Sequence, residues 1–329
     1  MIPVPNLFII GAPKSGTTSL YEYLKGHPEI FMSVVKEPCY FARDLALDDS
    51  GNFLVYERDK DLYFDLFKEA GDAKRLGEGS TRYLYSKEAP ALINEASPDA
   101  RIIAMVRNPI DMAHSLHAHK LAAGTEDLDQ FEDALAAEAD RDDGKRIPAH
   151  SNPLLSTYRD RARFGEQLPR WFDAIGRDRV HVIVLEDMIR DPEEEFRRVL
   201  EFVGVDPTWR PESFAAHNTA HSARSRSIRR VLNGRIPQWF VWGLMPKVIG
   251  DTRTRGMVRN FRHSWFHRKP ITKDPLSPEL RRQLEDEFMP DVKRLSELLG
   301  RDLGELWFKR PALSGSSPAP ASKETVTAS

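Results

Sequence analysis

The run Asn6-Leu7-Phe8-Ile9-Ile10-Gly11-Ala12-Pro13-Lys14-Ser15-Gly16-Thr17-Thr18-Ser19-Leu20-Tyr21-Glu22-Tyr23-Leu24 decides how the rest of the chain reads. Leu7 to Ile10 is a short apolar run rich in β-branched residues, the mark of a buried parallel strand. Gly11 to Gly16 breaks that run with Gly, Pro, Lys and Ser, a loop composition. From Thr17 the apolar spacing changes, and Leu20, Tyr21 and Leu24 fall on one helical face. Strand, glycine-bounded loop and helix start together form a phosphate cradle. Free backbone N–H groups and the positive end of the helix dipole converge where the loop enters the helix.

Which phosphate is a matter of detail. The ATP and GTP loop places its Lys directly after the second Gly. Here Thr17 holds that place, and Lys14 sits inside the loop, two residues before Gly16. A Lys there still neutralises a phosphate, but the Mg²⁺-dependent nucleoside triphosphate reading loses its lysine. Gly11-Ala12-Pro13-Lys14-Ser15-Gly16-Thr17-Thr18 resembles, almost letter for letter, the 5′-phosphosulfate loop of sulfotransferases that use 3′-phosphoadenosine 5′-phosphosulfate (PAPS). The plainer alternative is a strand-to-helix turn with incidental Gly and Lys.

The 329 residues suffice for one large α/β domain or two small ones. With 40% hydrophobic and 30% charged residues the chain has an ordinary globular composition. A net charge of −2 carries no global nucleic-acid signal, so an anion site must be local. The single cysteine, Cys39, excludes an internal disulfide framework and a Cys-based zinc site. Leu7 to Ile10 is too short for the apolar core of a secretory leader. No stretch approaches the ~18 apolar residues that span a bilayer. These features predict a cytoplasmic protein without a transmembrane segment.

Along the chain, His27 to Met32 reads as a turn into a short strand, and Val34 to Pro38 follows. Pro38 biases Glu37 toward extended backbone. Tyr63, Phe64 and Phe67 have helical spacing. Leu76 to Thr81 reads as a strand ending in a loop, and Tyr83 to Glu95 as a helix. Arg101 to Arg107 is a second buried strand, closed by Asn108-Pro109, with Ser115 on the next helix. Ala134–Asp143 and Tyr158–Ala174 read as helices. Val180 to Leu185 is a third strand, followed by a charged helix from Pro192 to Phe202. Strands alternating with helices predict a P-loop-type α/β fold, a parallel sheet with helices on both faces. Ligands bind such sheets beyond the carboxyl ends of the strands. Lys14, Glu37, Ser80 and Arg107 all lie just past expected strand ends.

From Arg224 to Lys273 basic residues outnumber acids, interleaved with Trp239, Phe240, Trp242, Trp265 and Phe266. This segment, 224–275, reads either as a lid for an anionic acceptor or a membrane surface, or as helical packing with solvated arginines. Ser277-Pro278 is an N-cap and first helical position, and Pro290 an expected break in the helix they open. Residues 1–310 are expected to form one domain. The Ser-, Ala- and Pro-rich tail, 311–329, is expected to be disordered.

Further residues extend the resemblance. Arg107-Asn108-Pro109 with Ala113-His114-Ser115 resembles the family's 3′-phosphate motif, so Arg107 and Ser115 would hold that phosphate. His217-Asn218 with Ala223-Arg224-Ser225-Arg226 resembles its late basic loop, where Ala223 replaces the usual Pro; Arg224 and Arg226 would close over the nucleotide. Val34 to Phe41 resembles the Lys-Glu-Pro segment of the heparan and glycosaminoglycan branch, in which the Glu is the base. That role maps onto Glu37, and Lys36 beside it would modulate that Glu or touch the sulfuryl group as a substrate contact. Gly77-Glu78-Gly79-Ser80-Thr81 and Tyr83 resemble a segment lining the acceptor side, which makes Ser80, Thr81 and Tyr83 candidate substrate contacts. Arg161 to Leu168 with Trp171 resembles another family helix, with Phe164 in place of a Tyr. The resemblance covers roughly residues 5 to 309 and is poor over 227–275.

It implies an enzyme that moves a sulfuryl group from PAPS to a hydroxyl or amine of a carbohydrate or small molecule, leaving adenosine 3′,5′-bisphosphate, without a metal. Ser15, Gly16, Thr17 and Thr18 would join Lys14 around the 5′-phosphosulfate. His114, His117 and His119 cluster after Arg107, but their spacing and the lack of an acidic partner argue against a metal. His117 stays a candidate secondary proton acceptor. Two other classes remain open. A P-loop kinase would use Leu185-Glu186-Asp187 as its metal-binding acid, and a non-catalytic module would bind the nucleotide or an anionic glycan. No nucleic acid is expected as a partner, and contact with a membrane surface stays open.

Overall fold

The computed structural model describes residues 3–45, 59–148, 151–214, 221–222, 269–270 and 275–310. Five strands form one parallel sheet: β1 (Leu7–Gly11), β2 (Ile30–Met32), β3 (Arg75–Gly79), β4 (Arg101–Val106) and β5 (Val180–Val184). Their order is β2-β3-β1-β4-β5, so β1 lies between the two strands that leave it in opposite directions. That is the topological switch point at which ligands bind α/β sheets. The predicted architecture is therefore observed. Two short strands, β6 (His221–Ser222) and β7 (Lys269–Pro270), pair antiparallel apart from it.

Alternation along β1 builds a core on each face. Leu7 and Ile9 pack with Leu20 and Leu24 of helix α1 (Thr17–Lys25) and with Phe196, Val199 and Val203 of the later Pro192–Val203 helix. Phe8 and Ile10 join the larger core on the other face. There Ile110 and Leu116 come from the Pro109–Ala123 helix, Leu168 and Trp171 from the Phe164–Ile175 helix, and Phe288 and Leu295 from the Pro278–Leu299 helix. All five residues of β1 are buried, which is why a run without polar alternation reads as a strand.

Several boundaries differ from the sequence reading. The expected Tyr83–Glu95 helix starts only at Ala89, because Arg82 to Ser86 close turns through Ser86 N–H to the Arg82 and Tyr83 carbonyls. Residues 134–143 divide into two short helices, Phe131–Ala136 and Glu138–Asp142. The expected helix from Tyr158 starts at Phe164 behind a 3-10 turn over Asp160–Ala162. Pro290 does not break its helix, which runs on to Leu299. Immediately after it, the Asp291 carboxylate accepts the Gly165 and Glu166 N–H groups, both at 2.9 Å. One helix thus caps another, and burial raises the Asp291 pKa to about 6 despite those bonds.

Gly165 makes this contact possible. A Cβ there would stand 2.4 Å from the Asp291 carbonyl oxygen, a backbone atom that cannot swing aside. Gly165→Ala is expected to cost about 1–3 kcal/mol, the usual penalty of overpacking, and to lower Tm by several degrees in a calorimetric melt. A melt unchanged from wild type would show that the two helices separate without cost.

Candidate active site

The loop between β1 and α1 ends at Gly16, whose φ of 84° lies in the left-handed region. Gly16 is also the N-cap of α1, and no side chain caps that end. The first-turn N–H groups of any helix lack intrahelical acceptors, so those of Thr17 and Thr18 are open to an external anion. Gly is required twice here. Its φ disfavours a side chain, and a Cβ would meet the Leu185 Cδ1 at 2.8 Å. Ser15 and Thr17 are buried against the loop.

Arg107 leaves the end of β4 and reaches across to this loop, donating from Nη1 to the Lys14 carbonyl at 2.9 Å. Its Nε is buried without a partner. Lys14, itself at a φ of 62°, has its pKa lowered by burial and then by the charges of Arg107 and Lys36. No carboxylate among the described residues pairs with Lys14 or Arg107. Two cations with no counterion among the described residues, beside an uncapped helix end, make a place where an anion would be stabilised. Ser115, on the helix after β4, is buried, and Arg107 is directed to the loop carbonyl rather than to it.

Glu37 is not on extended backbone as Pro38 led us to expect. It takes a φ of 60°, and its N–H donates to the Gly79 carbonyl at 2.8 Å, which ties the turn to the end of β3. Its Oε1 accepts from the Lys36 ammonium at 3.0 Å. Its Oε2 accepts from the Thr81 N–H at 2.8 Å and the Thr81 hydroxyl at 3.3 Å. Burial acts to raise the Glu37 pKa, but Lys36, the Thr81 N–H and Arg82 outweigh it and hold the carboxyl below its ordinary value. With its side chain 36% exposed, the carboxylate is ionised, oriented and reachable.

Ser80 and Tyr83, candidate substrate contacts in the sequence, lie beneath the surface. Both are fully buried and bonded to Glu78: Ser80 Oγ donates to Oε2 at 2.7 Å and Tyr83 Oη to Oε1 at 2.6 Å. Tyr63 Oη adds a third bond at 3.0 Å. Ser80 Oγ also accepts the Cys39 N–H at 3.0 Å, so this buried knot supports the turn that carries Glu37. Burial raises the Glu78 pKa to about 7; the three hydroxyl bonds oppose that, and the Glu37 charge adds to it. Sequence reasoning missed Glu78, although a carboxylate between two glycines on a buried strand was a visible signal.

His117 is also displaced from its expected role. It is buried against Phe131 and Tyr158, and its Nε2 is committed to the Leu128 carbonyl at 2.9 Å. Burial lowers its pKa, and nothing connects it to Glu37. The acid considered for a kinase is occupied as well. Asp187 is bound by Arg190 at 2.6 Å and by Arg301. Glu186 accepts the Asn108 N–H at 3.1 Å. Arg224, Arg226 and, but for residues 269–270 and 275, the segment 224–275 lie outside the described residues, as does the tail 311–329. Among the described residues no helix is long and apolar enough to cross a membrane.

Comparison with known proteins agrees with this geometry. A profile described as the sulfotransferase family matches residues 5–211. Human heparan sulfate glucosamine 3-O-sulfotransferase 6 is 29% identical over 303 residues, which are 91% of this chain and 73% of that protein. Mouse heparan sulfate glucosamine 3-O-sulfotransferase 3A1 is 24% identical over 304 residues, 92% of this chain and 64% of that protein. The crystal structure of a sulfotransferase from Alicyclobacillus acidocaldarius superposes with a TM-score of 0.69 at 28% identity, covering 94% of this chain and 100% of that one.

Gly16→Ala tests the cradle directly. Forcing a side chain into the left-handed region costs about 1–2 kcal/mol, so binding of adenosine 3′,5′-bisphosphate, measured by calorimetry, should weaken about tenfold while the fold persists. Unchanged binding would show that the loop does not contact the anion.

Proposed function

The chain belongs to the sulfotransferase family, and from that premise we propose that it transfers the sulfuryl group of PAPS to a hydroxyl or amine of a carbohydrate or other small-molecule acceptor, releasing adenosine 3′,5′-bisphosphate. The observation that carries the reading is the uncapped start of α1. There Lys14 and Arg107 lack a carboxylate partner among the described residues, at the same end of the sheet as an ionised and oriented Glu37. An orphaned Arg107 Nε fits a phosphate ligand, since a guanidinium fork takes phosphate oxygens in pairs.

PAPS supplies a sulfur centre whose bond to the bridging phosphate oxygen breaks as the acceptor attacks. Lys14 and the N–H groups of Gly16, Thr17 and Thr18 would hold the 5′-phosphosulfate and take up the charge growing on the departing oxygen. Arg107 and Ser115 would hold the 3′-phosphate, joined by Arg224 and Arg226. Glu37 would accept the acceptor's proton on a carboxylate oxygen. Lys36 and Thr81 fix the direction of that oxygen and keep it ionised at neutral pH. No residue of this scheme requires a metal. A cytoplasmic setting, with Cys39 in no disulfide, completes the reading. The heparan sulfate named for the relatives supports a carbohydrate acceptor.

Arg107→Ala is expected to weaken bisphosphate binding about 10- to 100-fold, the loss of a charge-assisted hydrogen bond. Glu37→Gln should leave that binding intact and lower turnover about 10²- to 10⁴-fold, the usual worth of a general base. Tighter binding of ATP–Mg²⁺ than of bisphosphate would instead favour a kinase. Bisphosphate binding without transfer to any acceptor would favour a non-catalytic module. Glu37→Gln with full turnover would move the base elsewhere.

The pH dependence follows from Lys14. Its pKa lies below the ordinary lysine value, and an anion favours the charged form. Bisphosphate affinity should therefore be full at neutral pH and fall as pH rises through that lowered pKa, earlier than for an exposed lysine. A pH series of calorimetric titrations checks this, and Lys14→Met should flatten the alkaline fall.

A further inference from the structure

A buried carboxylate that the scheme above does not use lies beneath the turn that carries Glu37. Glu78 is fully buried on β3, opposite Phe8 of β1. Its Oε1 accepts the Tyr83 hydroxyl at 2.6 Å and the Tyr63 hydroxyl at 3.0 Å, and its Oε2 accepts the Ser80 hydroxyl at 2.7 Å. The two shorter bonds have the length of O–H···O⁻ bonds to a charged acceptor. Burial and the Glu78 charge hold both phenols well above their ordinary pKa, so each keeps its proton and donates it. Two of these hydroxyl oxygens also accept from the turn. Ser80 Oγ accepts the Cys39 N–H at 3.0 Å, and Tyr83 Oη accepts the Phe41 N–H at 3.3 Å.

The direction of these bonds depends on charge. A hydroxyl has one proton, so Ser80 and Tyr83 can accept the two N–H groups because their own protons point at Glu78. An ionised carboxylate only accepts, which fixes that polarity. A protonated one brings an extra proton and one accepting site fewer. One hydroxyl then directs its proton away from Glu78, toward N–H groups that are donors themselves. The groups facing Glu78 are the three hydroxyls, the Cys39 thiol, which bears on Tyr83, and the Glu37 carboxylate. Tyr40 bears on Tyr63, and Lys36 and Arg82 bear on Glu37. Burial lifts the Glu78 pKa to about 7; the hydroxyls oppose this and the Glu37 charge adds to it. Glu37 is held below its ordinary value, so the two carboxylates titrate in different pH ranges.

Resting on the sulfotransferase reading, we propose that Glu78 is a positioning residue. Its negative charge sets the direction of the hydroxyl bonds that hold the turn, and Glu37 is aligned to take the acceptor's proton only while Glu78 is ionised. The acid limb of the pH–rate profile then belongs to Glu78. Turnover falls as pH drops through the Glu78 pKa, although Glu37 is still a carboxylate there.

Cys39 is the single cysteine of the chain, so nitrogen-15 labelling of cysteine gives one amide signal, from the N–H that donates to Ser80. The test follows that signal by NMR in the full chain loaded with adenosine 3′,5′-bisphosphate, over a pH series that brackets neutrality. Wild type should show a step in the amide proton shift with its midpoint at about 7. Glu78→Gln, which keeps the Cys39 thiol, should lose the step and hold the low-pH position of wild type. Glu37→Gln should move the midpoint lower, because the like charge that raises the Glu78 pKa is gone. Ser80→Ala should lose most of the step, since the coupling passes through its hydroxyl. A wild-type signal without a step, or a step that survives in Glu78→Gln, would overturn the proposal. So would a step undiminished in Ser80→Ala, which would mark a field effect through space, or a midpoint unmoved in Glu37→Gln. If Glu78→Gln does not fold, the other two variants decide. Failure of wild type to bind the bisphosphate at all would sink the sulfotransferase reading instead, whatever Cys39 shows.

Discussion

A helix that begins without a cap is the constraint on which the rest of the site depends. The first-turn N–H groups of α1 have no acceptor within the helix, and Gly16 has no side chain to provide one. Most helices close this end with Ser, Thr, Asp or Asn, as Asn108, Asp191 and Ser277 do elsewhere in this chain. Leaving it open and bringing Lys14 and Arg107 to it concentrates positive potential where β1, β3 and β4 end. The central position of β1 makes this convergence possible, because its neighbours on the two sides carry Thr81 and Arg107 to the same edge.

A second layer of polar contacts holds Glu37. Two residues with left-handed backbone, Glu37 and Cys39, form the turn that carries it. The first is fastened to Gly79 through its N–H, the second to Ser80 through its own. Ser80 in turn bonds Glu78, which Tyr63 and Tyr83 complete. Strain in the turn is thus balanced by hydrogen bonds that a relaxed backbone would forfeit. Ser80 and Tyr83, candidate substrate contacts in the sequence, are part of the support beneath Glu37.

The strand–loop–helix start was legible in the sequence because its parts are local. They are contiguous, and Lys14, Gly16 and Thr17 are neighbours whose placement follows from backbone geometry. Arg107 was legible for the same reason, since a strand followed by Asn-Pro delivers its last residue to the sheet edge. The misreadings have physical causes too. Pro290 was expected to end a helix because it removes one N–H and crowds the preceding turn. Packing on the large core and the cap from Asp291 to Gly165 and Glu166 outweigh that local penalty. His117 had the chemistry of a proton acceptor but lies in an aromatic pocket, bonded to a carbonyl.

The sequence by itself determined the α/β class and pointed to Lys14, Arg107 and Glu37 as the residues to examine. The fold class and the strand–loop–helix start rest on periodicity and on groups a few positions apart, whereas Glu37 was singled out by the resemblance of Val34 to Phe41 to a family segment. Only the tertiary structure decided that Glu37 is held by Thr81, 44 positions away. It also decided that Glu78 lies beneath the turn that carries Glu37, bonded to Ser80, and that Arg141 and Arg159 are paired with carboxylates distant in sequence. Those distinctions depend on which distant carboxylates and carbonyls packing brings within about 3 Å of a given group, and a linear pattern does not encode such distances between segments that meet only when the sheet closes.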